Sequence, residues 1–204
     1  MQLLNTIVGC ILVTGLTGCA GSKNVTLHGA DYPTQQASPK QIVKITGSIP
    51  KEMDIAFEAV WAAGKTDANC LYYENNYLRF EGASIAFHVT EPLKVIRDNE
   101  TYRTEVVADR FLPGECNWRL DRVTYKILRG DRELTKSWII RQPGGKKEEN
   151  GRVTVWCTKD ISLPMKSIFL CSYWNEALRG KPQPEGVILL PTTTDVQFDI
   201  RYLD

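Results

Sequence analysis

The cysteines are the residues of this chain with the most chemistry open to them. There are six, at positions 10, 19, 70, 116, 157 and 171. A thiol can ligate a metal, act as a nucleophile, pair in a disulfide or carry a lipid. Zinc is the weakest of these interpretations, because the sequence has no Cys-x-x-Cys pair and only two histidines, His28 and His88. Disulfide formation and lipid attachment therefore remain as the main uses, and we predict no metal.

An uncharged apolar segment precedes Cys19. The segment Leu3–Leu16 has the length of a signal-peptide core and falls short of the roughly 20 residues that span a bilayer. It runs into Thr17-Gly18 and then Cys19, which resembles the lipobox of bacterial lipoproteins. The resemblance implies a lipoprotein signal peptide over residues 1–18, with lipid attached to Cys19. The chain departs from the pattern in having no Lys or Arg before the apolar segment.

The residue after Cys19, Ala20, indicates to which membrane such a lipoprotein would be attached. Ala20 is not the acidic residue that retains such lipoproteins at the inner membrane. The resemblance therefore implies attachment to the outer membrane on its periplasmic face, through the N-terminal lipid only. Several acyl chains hold a protein stably where one does not. An ordinary secretory signal and a buried N-terminal helix are the alternative interpretations.

Four cysteines remain after the signal is removed and Cys19 is lipidated. In an oxidising compartment they predict two disulfides, and three pairings are possible. We favour Cys157–Cys171, which closes a short loop, and Cys70–Cys116, which closes a long one. Loop-closure entropy would make each of them worth about 3 kcal/mol.

The sequence offers no convincing catalytic group. Ser84 and His88 would share one face of a strand and could act as nucleophile and base, but an ordinary strand explains them better. The segment Gly82–Ala86 has Ala where a nucleophile elbow needs Gly, and Gly144-Gly145-Lys146 lacks the spacing of a phosphate loop. The acidic residues are scattered along the chain, with no pair placed for glycoside hydrolysis. We therefore predict a protein that is not an enzyme and that has no cofactor.

Two segments have the composition of recognition surfaces. Each follows a cysteine and is rich in Tyr, Trp and Asn, which give rigid contact area and adaptable hydrogen bonds. The alternative is that their aromatic rings point into the core. The candidate partner-binding residues are Tyr72, Tyr73, Asn75, Asn76, Tyr77, Tyr173 and Trp174.

The elements that would hold these residues are mostly strands. Residues 19–40 comprise the lipidated Cys19 and a polar segment with Gly and Pro, which predicts a flexible tether. Residues 41–204 alternate apolar and polar positions, most clearly in the last strand, where Val196, Phe198, Ile200 and Tyr202 share a face. An irregular alternation near Asp121-Arg122 predicts a β-bulge.

Two further elements are predicted from local pattern. Lys51–Gly64 is the one helical candidate, because Met53, Phe57, Val60 and Trp61 share a helical face. The segment 142–151 predicts a charged hairpin loop between strands at 136–141 and 152–158. The fold class is therefore mainly β, an antiparallel β-sandwich with one short helix and two disulfides.

Charge and composition narrow the class of partner. The chain has 25 Lys and Arg against 24 Asp and Glu, which argues against a nucleic-acid binder. A hydrophobic content of 43% is ample for one well-packed domain.

The segment Asp109–Trp118 carries a second resemblance. It contains an Asp, then an apolar residue followed by Pro-Gly, and then Cys-x-Trp. This pattern resembles one found in a group of small Gram-negative lipoproteins. Several of these resemble immunity proteins against phospholipase effectors of type VI secretion. The same residues have a structural explanation, in which Pro-Gly makes a turn, Cys116 is in a disulfide and Trp118 fills the core.

The resemblance implies a protein that binds a secreted lipase effector and blocks its active-site entrance. The alternative is a structural or accessory envelope lipoprotein that docks on a component of a secretion or transport complex.

Overall fold

The computed structural model describes residues 32–73, 84–141, 151–157, 171–172, 187–188 and 191–202. The predicted signal peptide over residues 1–18 and the lipid attachment site Cys19 lie outside them. The strands of the described part are β1 Ile42–Ser48, β2 Asp54–Ala62, β3 Leu71–Tyr73, β4 Ser84–Ala86, β5 His88–Leu93, β6 Ile96–Asp98, β7 Thr101–Val107, β8 Arg119–Arg129, β9 Arg132–Arg141, β10 Arg152–Cys157, β11 Cys171–Ser172, β12 Val187–Ile188 and β13 Asp195–Tyr202.

These strands form two large sheets that pack face to face. One has the order β11-β10-β13-β1-β7-β6 and the other β12-β9-β8-β2-β5, while β3 and β4 pair separately. The centroid of the Tyr125 ring lies 4.7 Å from that of Phe198, across the interface between the sheets. Phe57 packs on Phe198 as well, at 6.2 Å. The predicted mainly-β sandwich is confirmed, although β1–β13, β10–β13 and β12–β9 pair in parallel.

The segment predicted as a helix is a strand. In β2, the residues buried between the sheets are Ile55, Phe57, Ala59 and Trp61, which recur at every second position. Two periods fit this sequence, because Phe57 and Trp61 are four apart and so satisfy both a helix and a strand. Pairing with β8 and β5 on both sides settles the choice in favour of the strand. The described helical structure is a single 3₁₀ turn, Ala68–Cys70.

The predicted hairpin around residues 142–151 is also wrong. The strand before it, β9, pairs with β8 and β12 in one sheet, whereas β10 after it pairs with β13 and β11 in the other. The connection therefore crosses between the two sheets. Local turn chemistry signals a reversal of the chain but does not say which strand the chain joins afterwards.

Two predictions about strand irregularity and alternation are confirmed. Between β2 and β8 the register passes from Val60–Arg122 to Trp61–Leu120, which makes Asp121 the extra residue of a bulge. In β13 Val196, Phe198 and Ile200 are buried, as their alternation predicts. Asp199 is buried as well, because it accepts hydrogen bonds from the backbone NH and hydroxyl of Ser48.

Gly47 of β1 lies in close contact with both neighbouring strands, β7 and β13. Tyr102 lies opposite Gly47 in the register of β7 and β1, and its hydroxyl donates a 2.5 Å hydrogen bond to the carbonyl of Phe198 on β13. A Cβ atom on residue 47 would stand 1.7 Å from that carbonyl oxygen and 2.9 Å from the tyrosine hydroxyl. Only glycine leaves room for this link between the three strands.

Because of the buried Tyr102 hydroxyl, we expect the free energy of unfolding to fall with rising pH in the alkaline range. Burial, together with the nearby Asp199 carboxylate, raises the pKa of Tyr102 well above 10.0. The native state thus keeps the proton above about pH 10 while the unfolded chain loses it. The stabilisation is complete below pH 10 and is lost as the pH rises towards the native pKa.

Urea unfolding of the wild type and Tyr102→Phe between pH 8 and pH 11 measures this dependence. At pH 8 the variant should be about 1–3 kcal/mol less stable, because the Phe198 carbonyl loses its buried donor. Above pH 10 the difference should shrink. Parallel loss of stability in both proteins across this range would contradict the assignment.

Candidate protein-binding site

Both favoured disulfides are present. Cys70 ends the 3₁₀ turn before β3 and bonds to Cys116, 46 residues further along the chain, with the Cα atoms 5.4 Å apart. Cys157 of β10 and Cys171 of β11 are directly paired neighbours in the sheet and form the second bond. The first joins the β3–β4 pair to the connection between β7 and β8, and the second joins two strands of one sheet.

The connection 109–118 has the structural role expected of its residues. Gly114 has φ +51°, a conformation that glycine adopts at little cost, and the NH of Trp118 donates to the Pro113 carbonyl at 2.8 Å. The Trp118 side chain is buried. The carbonyl of Cys116 accepts from the NH of Gly64, which ties the connection to the end of β2.

Residues 32–40, predicted as part of the flexible tether, lie along this connection. Gln35 forms an antiparallel bridge with Phe111, and the NH of Leu112 donates to the Thr34 carbonyl at 2.9 Å. The Asp109 carboxylate accepts from the NH groups of Lys40 and Gln41. The described part of the segment is therefore bound to the domain, and the tether prediction stays open only for residues 20–31, which lie outside the described part.

A polar cluster fixes the start of this docked segment. Glu91 of β5 accepts from the Tyr32 hydroxyl at 3.4 Å and pairs with Arg110 at 3.1 Å. The Arg110 guanidinium lies 5.7 Å from the ring centroids of Trp61 and Phe111. Burial first and the Glu91 charge second raise the pKa of Tyr32 above its ordinary value of 10.0.

A groove of about 460 Å³ lies between the docked segment and the disulfide. Leu112 at this groove is 39% exposed, one of three large hydrophobic side chains exposed to this degree in the described part of the chain. We call this the disulfide groove. Its lining residues are Tyr32, Pro33, Thr34, Asn69, Phe87, Leu112, Gly114, Glu115, Cys116 and Trp118.

The predicted partner-binding residues are only partly described. Tyr72 is half-buried in β3, with its ring 5.9 Å from that of Phe87, a residue of the groove. The Tyr72 hydroxyl is buried and has no hydrogen-bond partner in the described residues. Tyr73 is in β3, but its side chain is outside the description, as are all atoms of Asn75, Asn76, Tyr77, Tyr173 and Trp174. A role in partner binding stays a prediction for all seven.

Ser84 and His88, considered above as a nucleophile and base on one strand, lie on two strands, β4 and β5, with Phe87 between them. The His88 Nδ1 atom lies 3.5 Å from the Ala86 carbonyl, and the ring lies 6.5 Å from that of Tyr72. The Ser84 side chain is outside the described part of the structure.

In the described part of the chain, no three His, Cys, Asp or Glu side chains are grouped to hold a metal ion.

Sequence reasoning missed most of the groove. Tyr32 and Pro33 were placed in the tether, because a polar segment docked through backbone hydrogen bonds shows no apolar period. Glu91 and Arg110 are distant in sequence, so their pairing leaves no local signal. The one available signal was Leu112 before Pro113-Gly114, an apolar residue in a turn.

No helix within the described residues has the length and hydropathy needed to cross a membrane. Neither a protein-family model nor a curated protein matches this chain.

Proposed function

We propose that this chain is a lipid-anchored periplasmic immunity protein that neutralises a phospholipase effector of type VI secretion. It binds the effector across the entrance of its active site and needs no catalytic residue of its own. The lipobox-like segment before Cys19 and the resemblance of Asp109–Trp118 to small Gram-negative lipoproteins support this function.

The observation that carries the proposal is the exposed Leu112 in the disulfide groove. The groove is held by the Cys70–Cys116 bond on one side and the docked segment 32–40 on the other. A surface already held in place loses little conformational entropy when a partner binds. An apolar residue within such a surface is the kind of anchor on which binding energy concentrates.

The groove suits a protein partner better than a small substrate. Tyr32, Phe87, Leu112 and Trp118 give it aromatic and apolar contact surface, with Glu115 as the one carboxylate among its lining residues. A protein partner of standard size covers roughly 800 Å² of each surface, so its contact would extend beyond the groove to neighbouring residues such as Tyr72, which packs on Phe87.

Inhibition of secreted phospholipases tests the proposal. The full chain, purified in detergent with its disulfides intact, is mixed with phospholipases encoded by neighbouring genes. Stoichiometric binding of one enzyme with loss of its activity supports immunity. Capture of an envelope-complex component, with every phospholipase still active, would overturn immunity in favour of the accessory function.

Leu112→Asp should break the inhibitory complex. An aspartate in the apolar groove would have to lose its hydration against apolar surface, and we expect affinity to fall at least about 100-fold. Calorimetric titration of the effector measures the change. The matched control is Ile42→Asp, an equally exposed apolar residue at 43%, which lies on β1 away from the groove. Equal weakening by both variants would rule out the groove as the binding site.

A further inference from the structure

The outer face of the six-stranded sheet carries two adjoining hollows. The first, which we call the basic hollow, has a volume of about 500 Å³ and is lined by Lys44, Lys94, Ile96, Arg103, Thr104 and Glu105. The second, the polar hollow, has about 650 Å³ and includes Thr46, Ser48, Asp98, Gln197, Asp199 and Arg201. Ile96 and Arg103 line both. Each volume is in the range of pockets that take small molecules.

Three cations meet in the basic hollow from different parts of the chain. Lys44 is on β1, Lys94 follows β5 and Arg103 is on β7. Lys44 is directly opposite Glu105 in the register of β1 and β7. Even so, none of the three cations is in an ion pair with a described residue. The lining therefore carries three basic side chains against one acidic side chain, and Asp195 of β13 lies next to Lys44 on its other side.

The polar hollow has an internally satisfied floor. The Asp199 carboxylate accepts from Ser48 and, at 2.9 Å, from the Gln197 amide. Its charge is therefore already held by hydrogen bonds within the protein. Around this floor stand the hydroxyl of Thr46 and the carboxylate of Asp98, groups that hydrogen-bond to hydroxyls. Arg201 adds a second guanidinium.

We propose that the joined hollows bind a phosphate-bearing polyol. The phosphate occupies the basic hollow, where Arg103 supplies a guanidinium fork and Lys44 and Lys94 supply point charges. The polyol hydroxyls extend into the polar hollow towards Thr46 and Asp98. The half-exposed Ile96, at 45%, lies between the two parts and contacts the carbon skeleton. The ligand chemistry is shared by a free polyol phosphate and by the glycerophosphate headgroup of an anionic lipid.

Calorimetric titration of the full chain in nonionic detergent tests this site. The ligands are sn-glycerol 3-phosphate, glycerol, and micelles doped with phosphatidylglycerol. Binding of soluble glycerol phosphate identifies a free polyol phosphate as the ligand, and binding of the doped micelles alone identifies a lipid headgroup. Either result supports the site. Binding of glycerol as tight as that of its phosphate, or of neither phosphate ligand, would overturn it.

Arg103→Gln should weaken phosphate binding at least about tenfold, because the bidentate charge-assisted contact is lost. Arg119→Gln removes the same charge from an exposed position on β8 in the other sheet and should leave affinity unchanged. Raising the ionic strength should weaken binding to the wild type. If the two variants bind equally, the basic hollow is not the phosphate site. The phospholipase inhibition of the proposed function should be unaffected by Arg103→Gln, so the two proposals can fail separately.

Discussion

Gly47→Ala is expected to destabilise the domain severely. The added methyl carbon would stand 1.7 Å from the Phe198 carbonyl oxygen, well inside van der Waals contact. Relief requires β1 and β13 to separate, which would also break the Tyr102 hydrogen bond across them. We expect a loss of at least about 4 kcal/mol, a large part of the stability of a domain this size. Urea unfolding followed by tryptophan fluorescence measures it.

Gly130→Ala is the control for this prediction. Gly130 has φ +58°, with no atom within 4 Å of the added Cβ. That substitution imposes left-handed backbone strain alone, worth about 1 kcal/mol. The comparison separates a steric clash between strands from a general cost of replacing glycine. A Gly47→Ala protein as stable as Gly130→Ala would show that the strands are not so closely packed at this point.

The Cys70–Cys116 bond is expected to matter for both stability and recognition. Replacing both cysteines with serine reopens a loop of 46 residues, which loop-closure entropy values at about 4 kcal/mol. It also releases Cys116 from the lining of the disulfide groove. We expect both a lower free energy of unfolding and the loss of effector inhibition at temperatures where the variant is still folded.

The second disulfide supplies the comparison. Cys157→Ser with Cys171→Ser opens a loop of 14 residues and should cost about 3 kcal/mol. That bond is not part of the groove, so inhibition should persist in the folded variant. Thermal unfolding and phospholipase assays on both double variants distinguish the two effects. If both lost inhibition to the same extent, the groove would have no special role.

Local patterns in the sequence predicted a good part of the fold, and their failures have physical causes. The buried face of β13, the bulge at Asp121 and both disulfides follow from alternation or loop length. β2 was mistaken for a helix because its buried residues fit both periods. Parallel pairings such as β1–β13 join segments about 150 residues apart, as the pairing of Lys44 with Asp195 illustrates, and leave no local pattern. The buried Asp199 depends on donors from Ser48, equally far along the chain.

The candidate site was less predictable than the sheets. The Tyr- and Asn-rich composition of the segment after Cys70 predicts Tyr72 as a contact residue, and Tyr72 packs on Phe87 of the groove. The groove itself, however, is formed by Leu112 and the docked segment. Docking through backbone atoms, as between Thr34 and Leu112, depends little on residue type. The position of the docked segment therefore follows from the folded connection 109–118 and has no signal in the segment's own sequence.

Under the proposed lipid anchoring, the docked segment would also set how far the domain can move from a membrane. With lipid on Cys19, a tether that ended at β1 would hold 42 − 19 = 23 residues and reach about 80 Å when fully extended. Because residues from Tyr32 onward are bound to the domain, only 32 − 19 = 13 residues remain, with a reach of about 45 Å. With the flexible tether that the composition predicts, the average span would be about 20 Å. Under the proposed function, the search volume around each anchor would shrink accordingly, and the groove would be concentrated in a thin layer next to the bilayer that the phospholipase attacks.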